Sequence, residues 1–110
     1  MQAKKPDIIK AQRYFEQRIT SKISLDEIAH ELHMNPSYFS RLFRKETGET
    51  FVEYVTKLKI DRAKELLRWT NSSIETISES LGYDNKSYFS KLFKSVCGIT
   101  PGEYREQNSS

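Results

Sequence analysis

The sequence predicts an all-α protein of about seven helices, two helix-turn-helix subdomains joined by a long central helix. Three features point there. The run from Thr50 to Trp69 opens on a capping-box pair, Thr50 and Glu53, and contains no Gly or Pro. A smaller pattern recurs on both sides of that run. Leu25, Ile28, Ala29 and Leu32 are echoed by Ile74, Ile77, Ser78 and Leu81 at an offset of 49, and Ser37 to Gly48 by Ser87 to Gly98 at an offset of 50, with seven of twelve positions identical. Finally, 36% hydrophobic and 30% charged residues, with only four Gly and three Pro, describe a soluble helical protein better than a β-sandwich or a disordered chain.

Taken in order, Met1 to Pro6 reads as a polar lead-in, and Asp7 can cap a helix from Ile8 to about Arg18 whose core face is Ile8, Ala11, Tyr14, Phe15 and Ile19. Thr20 to Ile23 is a short connection. Ser24 with Glu27 opens the next helix, which turns Leu25, Ile28, Ala29 and Leu32 inward and stops near Leu32. His33, Met34 and Asn35 make the turn; Asn35 caps a helix with Pro36 at its first position, running to about Thr47, and Gly48 suits a left-handed C-cap.

On the central helix Phe51, Tyr54, Val55, Leu58, Leu66 and Trp69 share one bearing, while Val52, Ile60, Ala63 and Leu67 lie roughly a third of a turn or more away. Two apolar stripes suggest a strut packed against two bodies, its solvent side marked by Glu53, Lys57, Lys64 and Arg68. Its length would be roughly 30 Å. After the polar break Thr70 to Ser73 the pattern restarts, and the change of offset from 49 to 50 places one extra residue in the second turn, where Gly82 stands at the position of His33. Both residues tolerate positive φ better than most. Thr100, Pro101 and Glu103 open a last short helix through Tyr104 and Arg105. The 110 residues are expected to form one domain divided as 7–49, 50–69 and 70–107.

Eighteen Lys and Arg against 15 acids give a net charge of +3, which allows a polyanionic partner without demanding one. The distribution is more telling. With Phe39 at 0° on its helix, Leu42, Phe43 and Glu46 fall within about 60°, whereas Ser37, Arg41 and Arg44 lie opposite and Ser40 sits at the edge. The second copy repeats the division, with Phe89, Leu92, Phe93 and Val96 inside and Ser87, Lys91 and Lys94 outside. Major-groove entry needs such a face: small residues permit close approach, Arg or Lys reaches guanine, and flanking cations meet phosphate.

Competing chemistries are weaker. His30 and His33 do not have the His-Glu-x-x-His spacing and have no third ligand set, so no metal and no cofactor are expected. Phe39/Phe43 and Phe89/Phe93 keep i, i+4 spacing on the apolar side, which favours core packing over base stacking. No nucleophile with a base, pair of buried acids or phosphate loop stands out, so no catalytic residue is assigned. The single cysteine, Cys97, cannot form an internal disulfide, and with no signal peptide or apolar span a cytoplasmic setting without a membrane partner is expected. A helical protein-interaction scaffold is the alternative function, and it would show an exposed apolar groove in place of the basic faces.

The repeated helix-turn-helix, Arg62-Ala63 followed by Leu66-Leu67, Leu81-Gly82-Tyr83, the block from Tyr88 to Lys94, and Gly98 to Pro101 with Tyr104 and Arg105 resemble the DNA-binding domain of AraC/XylS-type bacterial transcription regulators. The resemblance covers about residues 8 to 106. It implies double-stranded DNA as partner, with the second helix of each copy entering one of two successive major grooves. By position it implies Ser37, Ser40 and Arg41 in the first copy and Lys86, Ser87, Ser90 and Lys91 in the second as base-facing residues. Tyr38, Arg44, Lys45, Tyr88 and Lys94 are the phosphate candidates. It further implies RNA polymerase as a partner of an activator, and a place in a longer regulator with a sensor or receiver domain. Ser78 stands where alanine is usual. Ser37 and Ser40 are poorer base readers than the Gln, Asn or Arg of many relatives, which leaves first-copy specificity resting on Arg41.

Overall fold

The computed structural model describes residues 6–108. Among them are seven helices and no strand: α1 (Pro6–Gln17), α2 (Leu25–Glu31), α3 (Pro36–Thr47), α4 (Phe51–Trp69), α5 (Ile74–Ser80), α6 (Lys86–Cys97) and α7 (Pro101–Gln107). The chain groups into two compact units. The described residues up to Ile19 join Ile23–Thr56 in the first, and Thr20–Lys22 join the chain from Lys57 onward in the second, so the division falls within α4.

Side-chain caps set the helix starts. The Ser24 hydroxyl accepts from the Glu27 N–H at 3.1 Å, and the Ser73 hydroxyl accepts from the Thr76 N–H at 3.0 Å. Reciprocal boxes open α4, through Thr50 and Glu53, and α7, through Thr100 and Glu103. The two hydrogen bonds from Thr100 hold the Glu103 carboxyl below the usual glutamate range. Gly48 and Gly98 end α3 and α6 at φ of 80° and 85°, where any other side chain would strain the backbone. At the end of α4 the Arg105 guanidinium donates to the carbonyl oxygens of Leu67 and Thr70, which the helix itself leaves without donors.

Each unit has its own core. In the first, Phe15 is fully buried with its ring centroid 5.8 Å from Phe43, 5.4 Å from Phe51 and 5.9 Å from Tyr54. In the second, Ile60, Ala63 and Leu67 of α4 pack with Ile77, Leu81, Phe89 and Phe93. The central helix thus gives its first turn to one core and its later turns to another.

Several expectations change. Asp7 lies inside the first turn of α1, which Pro6 begins, so it favours the helix through its charge at the N-terminus and does not cap it. The rest of the lead-in, Met1 to Lys5, lies outside the described residues. Val52, Trp69 and Val96 are exposed at 64%, 74% and 46%, although periodicity placed all three on apolar faces. Trp69 is the last residue of α4 and packs against the Arg68 guanidinium, 4.9 Å from its ring centroid. Val96 shares the bearing of Phe89 and Phe93 yet stays exposed in the last turn of α6, where the neighbouring Cys97 packs against that core instead. Glu46 and Lys64 are half-buried, intermediate between the inward and outward places their bearings suggest. A bearing says which way a side chain points; it does not say how far the packing partner extends.

Candidate nucleic-acid interface

The two second helices, α3 and α6, are built alike. Asn35 caps α3, its side-chain oxygen accepting from the N–H groups of Ser37 at 2.9 Å and Tyr38 at 3.2 Å, and Pro36 occupies the first helical position. Asn85 caps α6 through the Tyr88 N–H at 3.0 Å. The preceding turns differ in length, Leu32 to Asn35 in one and Leu81 to Asn85 in the other, and both pass through positive φ, His33 at 57° and Gly82 at 84°.

Burying Phe39, Leu42 and Phe43 turns the opposite face of α3 to solvent, where Ser37, Tyr38, Arg41, Arg44 and Lys45 are exposed and Ser40 is half-buried. On α6, burying Phe89 and Phe93 leaves Lys86, Ser87, Tyr88, Lys91 and Lys94 exposed, again with the matching serine, Ser90, half-buried. Ser37, Arg41 and Arg44 span about 60° of the helix surface, so one ligand can meet all three. Charge is segregated as well. The Lys and Arg of each motif lie on its second helix, while the first helices carry Asp26, Glu27 and Glu31 in α2 and Glu75 and Glu79 in α5, all exposed. Such a surface supplies cations and small polar groups to an anionic partner, with serine in place of bulk near the helix start. The described residues contain no group of His, Cys, Asp and Glu able to hold a metal ion, and no described helix is long and apolar enough to cross a membrane.

Sequence reasoning missed two residues behind α6. Lys59 is only 4% exposed, its ammonium donating to the carbonyl oxygens of Ser21 and Leu81, and burial lowers its pKa. A signal was available: Lys59 shares a bearing with Ala63 and Leu66 to within about 40°. Tyr83 packs its ring 5.6 Å from Phe89 and 6.1 Å from Tyr88, and burial, with a smaller contribution from Tyr88, pushes its phenol up to about 12.

The folded state therefore holds the Tyr83 proton more tightly than the unfolded chain, whose tyrosines titrate near 10.0. The resulting stability is complete below about pH 10 and is lost as pH rises through about 12. Tyr54, also raised, acts in the same sense, whereas the lowered Lys59 opposes it, since the unfolded chain binds that proton better. Tyr83→Phe cannot ionise and should flatten the loss of denaturation midpoint across that window relative to the parent protein. Parallel midpoint-against-pH curves for the two proteins would remove Tyr83 as the cause.

Known proteins share this arrangement. The helix-turn-helix domain family matches residues 28–107. The HTH-type transcriptional regulator YtdP of Bacillus subtilis is 46% identical over 90 residues, covering 82% of this chain and 12% of that protein. The C-terminal domain of AraT, a response regulator from Geobacillus stearothermophilus, superposes with a TM-score of 0.95 at 32% identity, over 99% of this chain and 91% of that one. A transcriptional regulator of Chromobacterium violaceum described as having an AraC-type DNA-binding domain gives a TM-score of 0.86 at 30% identity, over 94% and 92% of the two chains. The chain spans a minor part of the curated relatives it matches, about a third of the length or less for the first four.

Proposed function

The chain belongs to the AraC-type helix-turn-helix domain family, and we propose that it binds double-stranded DNA sequence-specifically to regulate transcription, each unit inserting its second helix into its own major-groove subsite. The observation that carries this reading is the duplicated outward face, Ser37, Ser40 and Arg41 on α3 and Lys86, Ser87, Ser90 and Lys91 on α6, each backed by buried phenylalanines. These residues face the bases; Tyr38, Arg44, Lys45, Tyr88 and Lys94 meet the phosphates. The chain works as the output part of a longer regulator, in keeping with the response regulator whose C-terminal domain it resembles. An activating regulator of this kind would also touch RNA polymerase, and the setting is the cytoplasm.

Arg41 and Lys91 occupy paired positions, each exposed and each following a half-buried serine. Arginine offers a planar fork for bidentate contact with guanine O6 and N7, whereas lysine offers a point charge. Arg41→Ala should relax base preference in its subsite by roughly 1–3 kcal/mol. Lys91→Ala should weaken binding with a smaller or more even loss of preference. Randomised-site selection with the parent and each variant is the test, and the altered positions should form two clusters about 10 base pairs apart. Overlapping clusters, or an Arg41→Ala loss identical for all sequences, would make the residue a phosphate clamp and overturn its base-reading role.

A further inference from the structure

Lys59 is the one fully described lysine that the DNA-facing surface does not use and the fold nevertheless buries. A buried ammonium is costly unless its donors are met, and a methionine of similar length would fill the same space. What the charge does here is specific. Leu81 is the C-cap of α5, where a helix leaves carbonyl oxygens without donors and with partial negative charge, and the Lys59 Nζ lies 2.5 Å from that oxygen. The same Nζ lies 2.6 Å from the Ser21 carbonyl oxygen and 5.2 Å from the centroid of the Tyr83 ring. Tyr83 in turn packs on Phe89 and Tyr88 of α6. The Ser21 backbone closes over the turn so tightly that a Cβ on Gly82 would stand 2.8 Å from the Ser21 carbonyl carbon. Lys22 pairs with Asp84 across the same turn, but both side chains are exposed and that pair contributes little.

We propose that Lys59 is a positioning residue for the second recognition helix, its ammonium tying the end of α5 and the Ser21 backbone to the turn that launches α6. It touches no base; it fixes the turn and the Tyr83 ring on which α6 rests. The proposal rests on the DNA-binding reading, and it predicts an effect confined to the second subsite.

The experiment is randomised-site selection with the parent protein, Lys59→Met and Lys59→Arg, each first checked for a cooperative melt. Lys59→Met should lower discrimination in the second subsite by roughly tenfold while leaving the first within about twofold of the parent. Lys59→Arg, which keeps the charge and the donors, should restore most of the second-subsite preference. If Lys59→Met does not fold, Lys59→Gln, with one shorter amide donor group, should show the same pattern more weakly. Unchanged second-subsite preference in the folded variant, equal loss at both subsites, or an arginine variant no better than methionine would each overturn the positioning role. A parent protein with no base preference in either subsite would overturn the DNA-binding reading itself, whereas a parent with two subsites unaffected by Lys59→Met would overturn the positioning role alone.

Discussion

Phe15→Ala should destabilise the first unit by about 3–5 kcal/mol, close to the whole stability of many small domains. The ring is fully buried and stands against Phe43 of α3 and Phe51 and Tyr54 of α4, so its removal opens a cavity that two other helices line. Relaxation into that cavity is limited because the neighbouring rings are held edge-on or tilted by one another, Phe43 against Tyr54 at 5.3 Å and Phe39 against Phe43 at 5.7 Å. Amide exchange should lose its protection in α1 and α3, and the denaturation midpoint of those helices should fall. A change of under about 1 kcal/mol would mean that the ring cluster is not the centre of that core.

The largest effect on binding should come from salt. Each phosphate met by a cation releases condensed counterions from the duplex, so the logarithm of the binding constant should fall linearly with the logarithm of salt concentration, with a slope of about −0.9 per contact. Arg44, Lys45 and Lys94 lie exposed on the recognition helices, and with the other exposed cations a total of about six contacts would cost roughly a thousandfold in affinity between 50 and 200 mM salt. Lys94→Ala should make the slope shallower by about one and weaken all sequences alike. A flat salt dependence would remove the principal support for DNA as the partner.

Much of this architecture was legible because its signals are local. Ser24, Asn35, Thr50 and Thr100 announce helix starts through side chains that bond to backbone two or three residues away, and Gly48 and Gly98 announce the ends. The outward faces of α3 and α6 could be read because Phe39/Phe43 and Phe89/Phe93 fix the inward bearing. What escaped depends on contacts remote in the chain. The partners of Lys59 lie 38 and 22 residues away, and no periodicity reveals that two carbonyl oxygens will meet its ammonium. Val52 and Trp69 failed for a related reason: their bearings are apolar, yet both stand exposed, Trp69 beside the Arg68 guanidinium and outside either core. The division of α4 between two cores was visible only as two stripes, because a helical pattern does not say where along its length one partner gives way to the next.

The acids that α2 and α5 carry next to the basic helices α3 and α6 also bear on how fast the protein meets a polyanion. A net charge of only +3 gives weak attraction at long range, and within roughly 8–10 Å at moderate ionic strength the local sign decides the force. In the second motif the two signs meet, since Glu75 and Glu79 of α5 line one cleft with Lys86 and Ser87 of α6, so a phosphate that approaches Lys86 passes beside carboxylates. Neutralising Glu75 and Glu79 should therefore raise the association rate with duplex DNA at low salt, as read by stopped-flow mixing, and the gain should shrink as salt screens the charges.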